Sequence, residues 1–240
     1  VEENLDTKYV LLSGVKVLKI LRSAKCISDV MEFPTEFHLK HSKHILQSLI
    51  DGMYYDFEKF DQAYYGNLNL PLLNQSASYI AIKDNLNTSF DVHKFVKPSR
   101  DLKAFDAGIL VAGQTVEQFI MSKSRQRFYL EEQLVVSDVQ EMKDEYRFFV
   151  VNKEVISGSA YRVNGDVKYE EIIPDSVLLK AKEYADLYQP EVIFTMDLAR
   201  LADGSIKIIE YNCFNCSGVY LCDLVKTYTA IKIYLSLGEI

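Results

Sequence analysis

Hydrophobic and polar residues alternate most regularly in the second half of the chain. Over residues 145–151, Tyr146, Phe148 and Val150 fall on one face and Glu145, Arg147 and Phe149 on the other, the period-two pattern of a half-buried strand. A second strand follows over 154–161 after a short turn at Asn152-Lys153. At residues 174–188 the period becomes helical, with Val177, Ala181, Tyr184, Ala185 and Tyr188 on one side and Pro174 and Asp175 suited to the first turn. Residues 222–235 read as a closing amphipathic helix. Earlier signals are shorter: two apolar runs within 8–32, a helix from Thr35 to about residue 49, then strands over 79–82, 93–96 and 128–130. Pro98 cannot donate to a sheet ladder, so the strand before it stops there. Antiparallel strand pairs with helices between them predict an α+β fold. The turn-rich stretch 64–78, with Gly66, Asn67, Asn69, Pro71 and Asn74, marks a domain boundary.

Asp203-Gly204 lies between two β-rich runs and predicts a two-residue hairpin turn. Such a turn sets Asp197 opposite Glu210 and Thr195 opposite Asn212 on one face of the ribbon. Phe194, Met196, Leu198, Ile209 and Tyr211 then form the core face. Carboxylates directly across a strand pair repel unless a positive charge lies near both. A hard divalent cation such as Mg²⁺ supplies that charge and takes carboxylate, amide and phosphate oxygens, a set to which Asp197, Glu210 and Asn212 contribute. The alternative is a solvated outer face on which the acidic side chains splay apart.

Composition narrows the classes. At 240 residues and 48% hydrophobic content the chain can bury a substantial core without staples. A net charge of −7 excludes a generally basic nucleic-acid-binding surface, so no nucleic-acid partner is expected. No apolar run reaches the roughly 20 residues that span a bilayer, and no signal peptide opens the sequence, so neither a membrane partner nor export is expected. Cys26, Cys213, Cys216 and Cys222 are too few for a disulfide framework and predict a reducing, cytoplasmic setting. Cys213-x-x-Cys216 lacks a second ligand pair, so these cysteines read as small core residues rather than zinc ligands. His41 and His44, at helical spacing, read as a solvated helix face.

Four segments in order carry a family resemblance: FVKPSRDLKAFDAG (95–108), LEEQLVV (130–136), EYRFFVVNKEVISGSAYR (145–162) and MDLARLADGSIKIIEYNCFNCSG (196–218). Over roughly residues 76–235 the sequence resembles the ATP-grasp superfamily, most closely its clade of predicted amide or peptide ligases named for two arginines and a lysine. The resemblance implies two α+β lobes sandwiching a nucleotide, behind a small N-terminal α/β pre-domain. It divides the chain into a pre-ATP-grasp domain at 1–75 and an ATP-grasp domain at 76–240, with a central lobe to about 130 and a C-terminal lobe from 131.

It also implies roles. Lys97 contacts the α- or β-phosphate, and Lys103, with Lys94 as a neighbouring alternative, lies in the loop that closes over the nucleotide. Glu131 or Glu132 meets the adenine amino group, and Gln133, Leu134 and Val135 line the base. Asp197, Glu210 and Asn212 hold Mg²⁺, expected as two ions. Arg147 and Arg162, with Lys103, would act on the transferring phosphoryl group; the plain alternative for Arg147 is a cross-strand ion pair with Glu145 or Glu154. Thr195 departs from the family pattern, which often places an arginine there. Ser157, Ser159, Asn215 and Ser217 are candidates to border an acceptor pocket. The expected activity is ATP- and Mg²⁺-dependent joining of a small-molecule or peptide carboxylate to an amine through an acyl phosphate. An ATP-grasp phosphotransferase, or a nucleotide-binding interaction module, are the rivals. Oligomeric state is not legible.

Overall fold

The computed structural model describes residues 58–100, 105–123, 130–214 and 217–236. The apolar runs of 8–32, the helix after Thr35, His41 and His44, Lys103, Asn215 and Cys216 lie outside the described residues. Within them the chain runs α1 (Gln62–Tyr65), β1 (Ser78–Ala81), α2 (Ile82–Asn85), β2 (Lys94–Pro98), β3 (Gly108–Leu110), α3 (Val116–Lys123), β4 (Gln133–Asp138), β5 (Met142–Val151), β6 (Glu154–Val163), β7 (Asp166–Glu170), α4 (Asp175–Leu187), β8 (Ile193–Leu201), β9 (Ile206–Cys213) and α5 (Leu224–Ser236). The strands make two antiparallel sheets, ordered β1-β4-β2-β3 and β7-β6-β5-β8-β9. This is the expected α+β architecture.

Each sheet has its own core. Val96, Leu134 and Val136 of the smaller sheet pack on Ile82, Phe105, Val116, Phe119 and Ile120. On the larger sheet, Tyr146, Phe148 and Val150 of β5 join Phe194, Met196 and Leu198 of β8 beneath Val177, Ala181, Tyr184 and Ala185 of α4. The helical and strand periods seen in the sequence therefore meet at one interface. Phe60, Tyr65, Leu70 and Leu72 enter this same core, and Leu72 bridges Ile208 in parallel. Residues 58–75 thus pack as part of the larger lobe. The smaller sheet includes β4, so the division between lobes falls after Asp138 rather than at 130. The strand expected at 128–130 is also displaced: Leu130 is in a turn and the strand begins at Gln133.

The turns explain the chain's path. Asn152 and Lys153 both take positive φ (47° and 67°), which gives the two-residue connection between β5 and β6 the twist a hairpin needs. Asn164 and Gly165 (52° and 84°) do the same between β6 and β7, an edge strand that was not among the expected elements.

Candidate functional site

Site residues come from the hairpin of β8 and β9, from β5 beside it, and from β2 of the other sheet. Asp197 pairs with Glu210 and Thr195 with Asn212, as expected. The turn producing that register is different. Leu201 N–H bonds Ser205 and Gly204 takes φ 84°, so the loop holds three residues, Ala202, Asp203 and Gly204. A bulge follows at Ile209, because Leu198 pairs with Ile208 while Asp197 pairs with Glu210. The extra loop residue and the bulge offset each other. Ile208 is fully buried in place of the expected Ile209, which is only partly buried.

The charge between the two carboxylates comes from two protein cations. Arg147 lies opposite Asp197 in the ladder of β5 and β8 and grips it with both arms, Nε to Oδ1 at 2.8 Å and Nη2 to Oδ2 at 2.6 Å. Its Nη1 donates to the Gly218 carbonyl at 3.1 Å. Arg147 and Asp197 are 7% and 2% exposed, so this is a buried bidentate pair. Burial disfavours the guanidinium charge, but Asp197 outweighs it and the net pKa is raised. Lys97, itself 7% exposed, reaches across from the smaller sheet to Glu210 Oε2 at 2.6 Å. Asn212 Nδ2 donates to Glu210 Oε1 at 3.2 Å. Neither Glu145 nor Glu154 is the partner found for Arg147; Glu145 instead meets Arg162 Nε at 3.2 Å.

The remaining candidates separate by position. Arg162 sits at the rim, 43% exposed at its side chain, and also donates to Gly165. Val135 is buried opposite Lys97, whereas Leu134 points into the core of the smaller sheet. Glu131 is exposed and paired with Lys83 at 3.0 Å. Glu132 is 7% exposed, lies 3.6 Å from Arg100 Nη1, and has its pKa raised by burial. Lys94 pairs with Asp138 at 2.7 Å. Beside Lys97 a cavity of about 170 Å³ opens between the sheets, lined by Ser99, Arg100, Phe105, Glu210 and Asn212 among others.

The short polar side chains are used locally. Thr195 and Ser217 share a hydrogen bond of 2.7 Å, and Ser217 Oγ donates to the Cys213 carbonyl. Ser157 accepts from Asp223 N–H at 2.6 Å and Ser159 from Leu221 N–H at 3.3 Å, fastening the segment before α5 onto β6. Asp223 then caps the helix through Lys226 N–H. Cys213 and Cys222 are buried, the expected core role, and burial pushes the Cys222 thiol up to about 11. Tyr161 and Tyr220, which flank Arg147, were not among the sequence candidates. Tyr161 shares the Arg147 face of the sheet by strand alternation, so its place was open to the same period-two argument. Tyr220 carried no such signal.

Among the described residues no group of three or more His, Cys, Asp and Glu side chains is close enough to hold a metal. Two facing carboxylates and one amide on a ribbon face nevertheless match the hard oxygen donors that Mg²⁺ takes when phosphate oxygens complete its shell. The donor set fits Mg²⁺ in company with a phosphorylated ligand.

Over residues 53–231 the chain matches an ATP-grasp domain family, the third of the clade whose name abbreviates two arginines and a lysine. It belongs to that ATP-grasp family. Its fold is shared with D-alanine–D-alanine ligase from Bacillus anthracis: with ATP bound, the TM-score is 0.52 at 14% identity over 90% of this chain and 78% of that one. A second structure of that ligase gives 0.52 at 13% identity over 94% and 91%. The ATP-grasp ligase PsnB, complexed with minimal precursor, Mg and ADP, gives 0.47 at 14% identity, over 75% of this chain. The chain spans about three fifths of the length of PsnB, 59% in that complex. No curated protein matches the chain significantly.

Proposed function

We propose that this ATP-grasp protein is an ATP- and Mg²⁺-dependent carboxylate–amine ligase that works through an acyl phosphate. The observation that carries this reading is the set of four buried or half-buried charges, Asp197, Glu210, Arg147 and Lys97, drawn from both sheets onto one cleft. Asp197, Glu210 and Asn212 would hold Mg²⁺, which supplies charge neutralisation at the nucleotide phosphates. Lys97 binds a phosphate oxygen as a compact cation. Arg147, planar and fixed beside Asp197, stabilises charge that develops on the transferring phosphoryl group. A substrate carboxylate attacks the γ-phosphorus, the bond from γ-phosphorus to its bridging oxygen breaks, and ADP leaves. An amine then attacks the acyl carbon, phosphate departs, and the amine proton passes to solvent or phosphate. Substrates are a small-molecule or peptide carboxylate and an amine.

Thr195 favours a second reading, a nucleotide-binding interaction module. Arg147 supports the ligase against it, because the guanidinium beside Asp197 brings to this face the positive charge that Thr195 lacks.

Calorimetric titration of ADP with and without Mg²⁺ tests the site. The expected result is Mg²⁺-dependent binding that weakens in Glu210→Gln, together with a loss of at least ~10²-fold in amide-forming turnover, about 3 kcal/mol at the transition state. Folded wild-type protein that binds no nucleotide at millimolar concentration would end this reading.

A further inference from the structure

Arg147 is held on more than its charge. Its guanidinium carbon lies 5.1 Å from the centroid of the Tyr220 ring and 6.0 Å from that of Tyr161, within the range at which a cation is drawn to an aromatic face. The two rings stack on each other at 4.8 Å and 20°, and Tyr169 of β7 stacks on Tyr220 at 5.5 Å and 28°. The two walls differ in kind. Tyr161 stands on β6 beside Glu145, to which its hydroxyl is hydrogen-bonded, and so is set by the sheet. Tyr220 stands on the segment that leads into α5, 37% exposed, with φ at 51°, a backbone region that a bulky residue seldom adopts. That segment is tied down on either side of the ring, by Gly218 O to Arg147 and by Leu221 N–H to Ser159.

We infer that Tyr220 is a positioning residue: its ring, stacked on Tyr161, closes the side of the slot that keeps the Arg147 guanidinium flat against Asp197. A bidentate pair needs both donors in the carboxylate plane. With one wall removed, the arginine keeps its charge and its ion pair but gains freedom to leave that plane. The part Arg147 plays in phosphoryl transfer rests on the ligase reading; its confinement by Tyr220 does not. The ring's faces and not its hydroxyl do this, so phenylalanine should serve in its place.

The first measurement needs no substrate. Hydrogen exchange at Arg147 Nε–H, followed by ¹⁵N NMR and assigned with Arg147→Lys, should quicken at least ~10-fold in Tyr220→Leu and stay within ~2-fold in Tyr220→Phe. The second is ATP turnover with pooled amino acids and short peptides. There Tyr220→Leu should lower kcat at least ~10-fold while moving the KM for ATP less than ~2-fold, and should lower it no further when Arg147 is already lysine. Unchanged exchange in Tyr220→Leu overturns the inference, as does equal quickening in the leucine and phenylalanine variants. Should Tyr220→Leu not fold, Tyr220→Met keeps an apolar side chain without a ring face and is read in the same way. A wild-type protein without turnover, in which the exchange still responds to leucine, keeps the positioning role and ends the ligase reading instead.

Discussion

Glu145 joins two opposed effects in one side chain. Its carboxylate is 13% exposed, and burial raises its pKa against the lowering effects of the Tyr161 hydroxyl and of Arg162. A carboxyl with a raised pKa binds its proton more tightly in the folded chain than in the unfolded one. Stability contributed by this group therefore falls as pH rises from the ordinary glutamate range through the raised folded value, and no penalty remains below that range. Glu145→Gln removes the titration but keeps the shape. Urea unfolding of the variant and wild type at a series of pH values should show the difference in stability moving in favour of Gln between about pH 4 and pH 7. A difference that moves the other way would mean that Arg162 and Tyr161 outweigh burial. The face on which Glu145 and Arg147 lie was legible from alternation alone. Their partners were not, because those depend on registers between β5 and β8 and between β5 and β6, and strand period carries no information about which residue a neighbouring strand brings alongside.

Strands and turns show how far short-range signals reach. The facing of Asp197 and Glu210 was foreseen, but by way of a two-residue turn that the chain does not make; the three-residue loop and the Ile209 bulge restore the register. The edge strand β7 went unseen although Asn164-Gly165 is a strong hairpin dipeptide, because its five residues bury no face and offered no alternation to confirm the turn. Residues 64–78 were read as a boundary because they are rich in turn formers, yet the apolar residues among them are anchored in the larger core. One cross-strand position on that sheet makes a sharp prediction. Gly158 faces Phe148, and a Cβ there would lie 2.5 Å from the Phe148 ring. Gly158→Ala should destabilise the protein by about 1–3 kcal/mol, since a fully buried ring must shift. Adding Phe148→Leu should then cost less than it does in the wild-type background, which denaturant unfolding of the four proteins in the cycle measures directly. Additive losses would show that the added methyl and the ring are accommodated independently.

On the scale of the molecule, Lys97 and Glu210 form a charged link between the two sheets, and Arg147 with Asp197 forms a second pair beside it within the larger one. Both carboxylates that would serve Mg²⁺ are therefore engaged by protein cations. A divalent ion approaching alone meets two positive charges, which at close range and low exposure repel it and compete for its ligands. A nucleotide changes that balance, because its phosphates offer Lys97 another anion and add oxygens to the ion's shell. Nucleotide and ion should then enter together. Titration of Mn²⁺ followed by electron paramagnetic resonance should find binding at least ~10-fold tighter with saturating ADP than without it, beyond what Mn²⁺ gains from free ADP. Lys97→Met should narrow that gap from both sides, strengthening Mn²⁺ binding in the absence of nucleotide while weakening the binding of ADP. Equal affinity for Mn²⁺ with and without ADP in the wild-type protein would show that the ion displaces both cations unaided, and the link between the sheets would then have no part in the order of binding.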